Sequence, residues 1–208
     1  METNYHRTIF LDIETAGLAI DDPIIEVAAV AVESATYRVV DSIDMKIAFE
    51  MKYLTNFEAL GVNKFSATEW AHYALPSEVA AKKLEIFFKK YATIEKAGKK
   101  SGKTYYIPQL AGHNSNAFDA PRVKHWFDKH ECFFHPAMLR TLDTEQKARW
   151  FFADNPQLLP PENYQLGTLI QHLGLDCNPD HTALADTLAT VDLAQALAEA
   201  TRFAAAAA

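Results

Sequence analysis

Thr8-Ile-Phe-Leu-Asp-Ile-Glu14 is the stretch whose reading decides the fold. It is an apolar run ended by the turn residues Ala16-Gly17, the pattern of a buried strand. Asp12 and Glu14 break that pattern. Alternate residues on a strand share a face, so both carboxylates project the same way, about 6.5–7 Å apart along the chain. Beside Ile9, Phe10, Leu11 and Ile13, each acid loses hydration and repels the other. Both proton affinities then rise unless a cation sits between them. On this pair alone, a strand end with both acids facing water reads equally well.

Outward from this strand, residues 24–32 follow Pro23, include Glu26, and read as a second strand. Residues 37–48 alternate through Val39, Ile43, Met45 and Ile47 and read as a third. The short links predict an antiparallel meander. Ser66 and Ser77 are expected as helix N-caps, the second opening a helix to about residue 91. Residues 89–103 are Lys- and Gly-rich and predict a surface loop. A strand over 105–111 is followed by helices over 120–130 and 143–152, a proline-rich loop over 156–161, a helix over 165–173 and a last helix over 182–203. This order predicts an α/β fold with a mixed sheet covered by helices. Residues 1–203 are expected to form one domain, and the alanines 204–208 a frayed helix end or an added tail.

Bulk properties narrow the function. Cys132 and Cys177 lie far apart and outside metal-ligand spacing, which excludes a disulfide scaffold and predicts a cytoplasmic protein. No signal peptide and no membrane partner are expected. The net charge of −7 points, alone, away from nucleic acid. Two bound divalent cations would place positive charge where a phosphate sits and so weaken that objection.

Three further residues bear on chemistry. Asp119 ends Gly112-His-Asn-Ser-Asn-Ala-Phe-Asp119 and opens a helix, where an acid is also what the helix dipole favours. Asp186 lies early in a helix apolar around most of its circumference, so it is an acid that needs a partner. His181, after Pro179-Asp180, reads by itself as a loop or capping histidine. Together, Asp12, Glu14, Asp119 and Asp186 can converge at one sheet edge. Hard oxygen ligands of this kind suit two Mg²⁺ or Mn²⁺ ions, which clamp the attacking and leaving oxygens of a phosphodiester. A histidine can accept the proton of the attacking water.

Asp12-Ile-Glu14, the block ending at Asp119, and His181 with Asp186 five residues later resemble the three exonuclease motifs of the DEDD superfamily. The histidine marks the DEDDh, DnaQ-like branch. The resemblance implies a ribonuclease H-like fold: a mixed five-stranded sheet, three strands antiparallel and the rest parallel, flanked by helices. It implies Asp12 bridging both metals, Glu14 and Asp186 on the metal that holds the attacking water, Asp119 on the second metal, and His181 as general base. Thr15, Ala16 and Leu18 would contact the 3′-terminal nucleotide, and Asn114 and Phe118 would line the groove, though Phe118 also reads as core. The three residues Ser115-Asn116-Ala117 between His-Asn and Phe-Asp are similar to the spacing of three-prime repair exonucleases and bacterial exonuclease I, as is Tyr164-Gln-Leu-Gly-Thr-Leu to the repair enzymes. The substrate implied is a single-stranded 3′ end, DNA over RNA, cut to nucleoside 5′-monophosphates.

Weaker signals have bland alternatives. Glu26 reads as an acid supporting the site from behind or, better, as a hydrogen-bonded structural acid, and Asp143 as a family position or an N-cap. Lys82, Lys83, Lys89, Lys90, Lys96, Lys99, Lys100 and Lys103, with Tyr105 and Tyr106, offer a strand track. A solvated face explains the lysines as well. Trp70, Trp126 and Trp150 are expected in the core or groove wall. Proofreading with a polymerase partner, trimming of short RNA, a homodimer and a silent single-strand-binding module all stay open.

Overall fold

A computed structural model describes residues 6–50, 52–53, 60–61, 63–98 and 102–207. Three strands come first: β1 (Arg7–Thr15), β2 (Ile24–Glu33) and β3 (Val39–Lys46). Helices α1 (Ala67–Tyr73) and α2 (Ser77–Lys90) follow, then β4 (Ile94–Ala97), β5 (Thr104–Ile107) and β6 (Gln109–Gly112). Helix α3 (Asp119–Lys129), a 3₁₀ turn at Pro136–Leu139, β7 (Leu142–Asp143), α4 (Thr144–Asp154), α5 (Leu166–His172) and α6 (Ala183–Ala207) complete the chain.

The main sheet has the order β3-β2-β1-β6-β7. β1–β2 and β2–β3 are antiparallel, whereas β6 pairs parallel to β1, and β7 parallel to β6. The ribonuclease H-like mixed sheet expected from the sequence is therefore present. Strand alternation sends Ile9, Leu11 and Ile13 into the larger core with Leu84, Phe88, Val123 and Phe127, under α2 and α3. Phe10 faces the other way, with Val30, Val191 and Ala194 under α6. Asp12 and Glu14 share the face of Phe10, so the acids emerge where the α6 core ends.

Several expectations need correction. Pro108 cannot donate to a ladder, and the strand expected over 105–111 divides there into β5 and β6, which belong to different sheets. The Lys-rich loop contains β4, paired antiparallel with β5 as a hairpin, because Ile94 and Ile107 pack against the core. Ser66 caps α1, but Ser77 is the first residue of α2, not its cap. Its hydroxyl instead accepts from Trp126 Nε1 at 2.8 Å and meets His130 Nε2 at 2.9 Å. Trp70 and Trp126 are buried, whereas Trp150 is 70% exposed, on the solvent side of α4. Helix α6 runs on through Ala207. The lysines at 99 and 100 lie outside the described residues.

β6 delivers the second acidic block through Gly112. A Cβ there would stand 2.6 Å from Ser115 Cβ and 2.8 Å from the Leu11 carbonyl, closer than real contacts allow. Gly112→Ala is expected to cost about 1–3 kcal/mol as an overpacking change and to displace residues 113–118. Urea unfolding checks the stability; a loss below measurement error would show that the backbone gives way freely.

Candidate active site

Four acidic side chains reach one open cleft of about 440 Å³: Asp12, Glu14, Asp119 and Asp186. Each arrives for a local reason. Asp12 and Glu14 stand two apart on β1, and the small Ala28 opposite Asp12 leaves room beside it. Asp119 begins α3, and its Oδ1 accepts the Ile13 backbone N–H at 3.1 Å, which ties the helix start to β1. Asp186 lies in the first turn of α6 and accepts the N–H groups of Asp180 at 2.9 Å and His181 at 3.2 Å. Carboxylate oxygens of Asp12, Glu14 and Asp186 all lie within 4.8 Å of one another, a separation one hard cation can span. Asp119 lines the same cleft but stands outside that close triplet.

The electrostatics match the crowding. Burial, then Asp119, Glu14, Asp186 and Glu26, push the Asp12 carboxyl well above the usual range. Burial, with Asp186 and Glu26 next, raises Glu14 to about 8. Asp119 rises to about 7 through burial, opposed by the Ile13 N–H. Asp186 also rises by burial, moderated by its two backbone donors. Four acids held in this state are a poor arrangement for an empty protein and a good one for divalent metal.

A stability prediction follows with a definite sign. Glu14 is raised from an ordinary 4.5 to about 8, so the folded protein holds a proton that the unfolded chain releases across that window. Stability of the metal-free protein therefore falls as pH rises from about 4.5 to 8. Melting curves in EDTA across that window check this, and Mg²⁺ is expected to flatten the decline. A metal-free melting temperature that climbs with pH would contradict it.

The other expected site residues are distributed unevenly. Asn114, at φ 55°, and Phe118 line the cleft, and Phe118 packs on the core as well. His181 is exposed in a left-handed turn at φ 61°, outside the lining of the cleft. Thr15 and Ala16 are buried. The Thr15 hydroxyl bonds the Gly17 carbonyl, and the Thr15 carbonyl accepts from Asn63. Leu18, at the next turn, is 82% exposed.

Some members were read from the sequence only in part, and others not at all. Asp143 caps α4 and also accepts the N–H groups of Asn114 at 3.1 Å and Asn116 at 3.2 Å, so it fixes the loop before Asp119. His113 bridges Thr144 Oγ1 and the Tyr164 carbonyl, both at 2.9 Å, and burial lowers its proton affinity. Glu145 and Arg149, on α4, also line the cleft; their i,i+4 spacing on a predicted helix was the available signal. Glu26 is 2% exposed, faces Glu14 across the strands and is held by Lys46 at 3.3 Å. Three lysines of the basic stretch are paired: Lys82 with Glu78, Lys89 with Glu85 and Lys90 with Asp41. Tyr105 packs on Phe133 and His135, while Tyr106 is exposed. Both cysteines are free, and among the described residues no helix is long and apolar enough to cross a membrane.

No family model and no curated protein matches the chain by sequence. Solved structures do match it. A structure of exonuclease I superimposes with a TM-score of 0.74 at 18% identity, covering 93% of this chain and 41% of that one. Escherichia coli exonuclease I bound to a dT13 oligonucleotide gives 0.71 at 18% identity, covering 91% and 40%. A zinc-bound E. coli exonuclease I complex with single-stranded DNA gives 0.71 at 17% identity, covering 93% and 40%. The chain thus spans about two-fifths of the length of those proteins. Sheet order, helix placement and these superpositions together show that the chain has the ribonuclease H-like exonuclease fold of exonuclease I.

Proposed function

We propose that the chain is a metal-dependent 3′–5′ exonuclease domain, spanning residues 1–203, that acts on single-stranded nucleic acid, DNA in preference to RNA. The observation that supports this best is the convergence of Asp12, Glu14 and Asp186 within 4.8 Å, beside Asp119, in an open cleft. Their proton affinities are raised, and their donor atoms are the hard oxygens that Mg²⁺ and Mn²⁺ select. The dT13 and zinc complexes of exonuclease I are consistent with such a substrate and with divalent metal.

In this reading Asp12, Glu14, Asp119 and Asp186 would hold two Mg²⁺ ions, Asp12 contributing to both, Glu14 and Asp186 to the first and Asp119 to the second. When bound, the ions supply Lewis-acid stabilisation of the phosphodiester and a more acidic water. His181 would accept the proton of the attacking water as its oxygen bonds to phosphorus and the P–O3′ bond breaks, giving a nucleoside 5′-monophosphate and a shortened strand whose 3′-oxygen takes up a proton. Asn114 and Phe118 orient the terminal nucleotide, Leu18 packs against it, and Thr15 and Ala16 shape the turn beneath. A location in the cytoplasm fits the two free thiols.

The test is a time course on 5′-labelled single-stranded DNA and matched RNA, with Mg²⁺ and with EDTA. A ladder shortening from the 3′ end, in Mg²⁺ only and faster on DNA, is the expected result. Faster loss of RNA would reassign the substrate to short RNA. Binding without cleavage of either strand would leave a recognition module.

A further inference from the structure

We propose that Arg149 and Tyr164 form a subsite for the internucleotide phosphate one step inside the 3′ end. This rests on the nuclease reading above and assigns that cleft a second contact, distinct from the acids.

Among the described residues Arg149 is the one Lys or Arg lining the cleft, which five carboxylates also line once Glu145 is counted. Cations bound at Asp12, Glu14 and Asp186 compensate one phosphate. The next phosphate along the strand meets the remaining wall, and Arg149 is the cation that wall provides. Its guanidinium lies 4.4 Å from the centre of the Tyr164 ring. Stacking of this kind holds the planar group by its face and leaves in-plane N–H edges for an anion.

The wall is built as a unit. Arg149 Nε and Nη2 donate to Glu145 Oε1 at 2.9 and 2.7 Å, one helical turn away on α4. His113 bonds the Tyr164 carbonyl with one ring nitrogen and meets Thr144, the first residue of α4, with the other. The arginine is thereby oriented before substrate arrives, which lowers the ordering cost of binding. Its side chain is half exposed, so the Glu145 pairing is weak enough to share with a phosphate. Lysine replaces it only in part, because an ammonium brings a point charge without the planar fork.

The test compares a labelled dinucleotide, which has only the scissile phosphate, with a trinucleotide, which has the inner one too. Arg149→Ala is expected to raise KM on the trinucleotide by about tenfold, in line with losing one charge-assisted contact, and to change kcat by less than about twofold. The loss on the dinucleotide should be several-fold smaller, and Arg149→Lys should fall between wild type and Ala. In parallel, fluorescence anisotropy measures binding of a phosphorothioate-capped hexanucleotide against salt. The log–log slope should shrink by about 0.7 in Arg149→Ala, the amount for one single-strand phosphate contact. Equal losses on both substrates, a loss confined to kcat, or an unchanged slope would overturn the subsite. If the wild type cleaves neither substrate, the nuclease reading fails, and the salt slope alone then decides whether Arg149 touches phosphate.

Discussion

Asp12→Asn is expected to lower turnover by about 10³-fold or more while raising the melting temperature of the metal-free protein. Asp12 sits at the centre of the acids, and its charge is opposed by burial and by Asp119, Glu14, Asp186 and Glu26. It belongs to the triplet whose oxygens lie within 4.8 Å of one another. Metal acting as a Lewis acid is worth several kcal/mol in the transition state, and about 4 kcal/mol corresponds to about 10³ in rate. Asparagine has nearly the same shape, so packing against Ala28 is kept while the repulsion is relieved. The order reverses on adding Mg²⁺. A ligand at a hundred times its Kd stabilises the wild type by about 2.7 kcal/mol, and the variant lacks the site that captures it. Nuclease assays paired with melting curves in EDTA and in Mg²⁺ check both halves. A variant that still cleaves would break the shared-ligand scheme; one that melts lower in EDTA would show that Asp12 supports the fold rather than burdens it.

That opposition between stability and function explains what the sequence made legible. Asp12 and Glu14 stood out because they violate the apolar pattern of β1, and strand periodicity alone placed them on one face. The long apolar helix containing Asp186 stood out for the same reason. What stayed hidden depends on long-range contact. Nothing near Asp143 announces that it holds the N–H groups of Asn114 and Asn116. Ser77 looked like a cap because caps are local, yet its hydroxyl is taken by Trp126 and His130, about fifty residues away. Pro108 was visible in the sequence, and its missing N–H was sufficient reason to divide the strand. The lysine-rich segment misled because charge was weighed above Ile94 and Ile107, which hold the β4–β5 hairpin to the core.

Glu26 makes the same point within the sheet. Its carboxylate is raised by burial, and Lys46 opposes that rise from the neighbouring strand. Glu26 in turn raises the proton affinity of Glu14 beside it. A buried acid that is already paired would add to the pull on a cation at Glu14 without occupying the site itself. Its position was legible in the sequence; its coupling to Glu14 required the antiparallel register.

His181→Ala is the second large effect, an expected fall of about 10²–10⁴ in kcat with KM changed by less than about threefold. The structure makes the experiment more demanding than a single variant. His181 has φ 61°, a left-handed conformation that costs most side chains about 1–2 kcal/mol. The turn is held by Asp186, which accepts the N–H groups of residues 180 and 181, and by Lys64 on Asp180 at 2.7 Å. Alanine therefore removes the imidazole and also strains a turn tied directly to Asp186. Asparagine tolerates the left-handed conformation and has no basic nitrogen, so His181→Asn separates the two causes. If the imidazole is the base, both variants lose turnover alike and both keep the wild-type Mg²⁺ dependence. If only the turn matters, His181→Asn stays near the wild-type rate while His181→Ala needs more Mg²⁺. The imidazole is exposed in this structure, so reaching the attacking water requires a side-chain rotation on the pinned backbone. Equal losses in the two variants would assign the effect to the imidazole rather than to the turn.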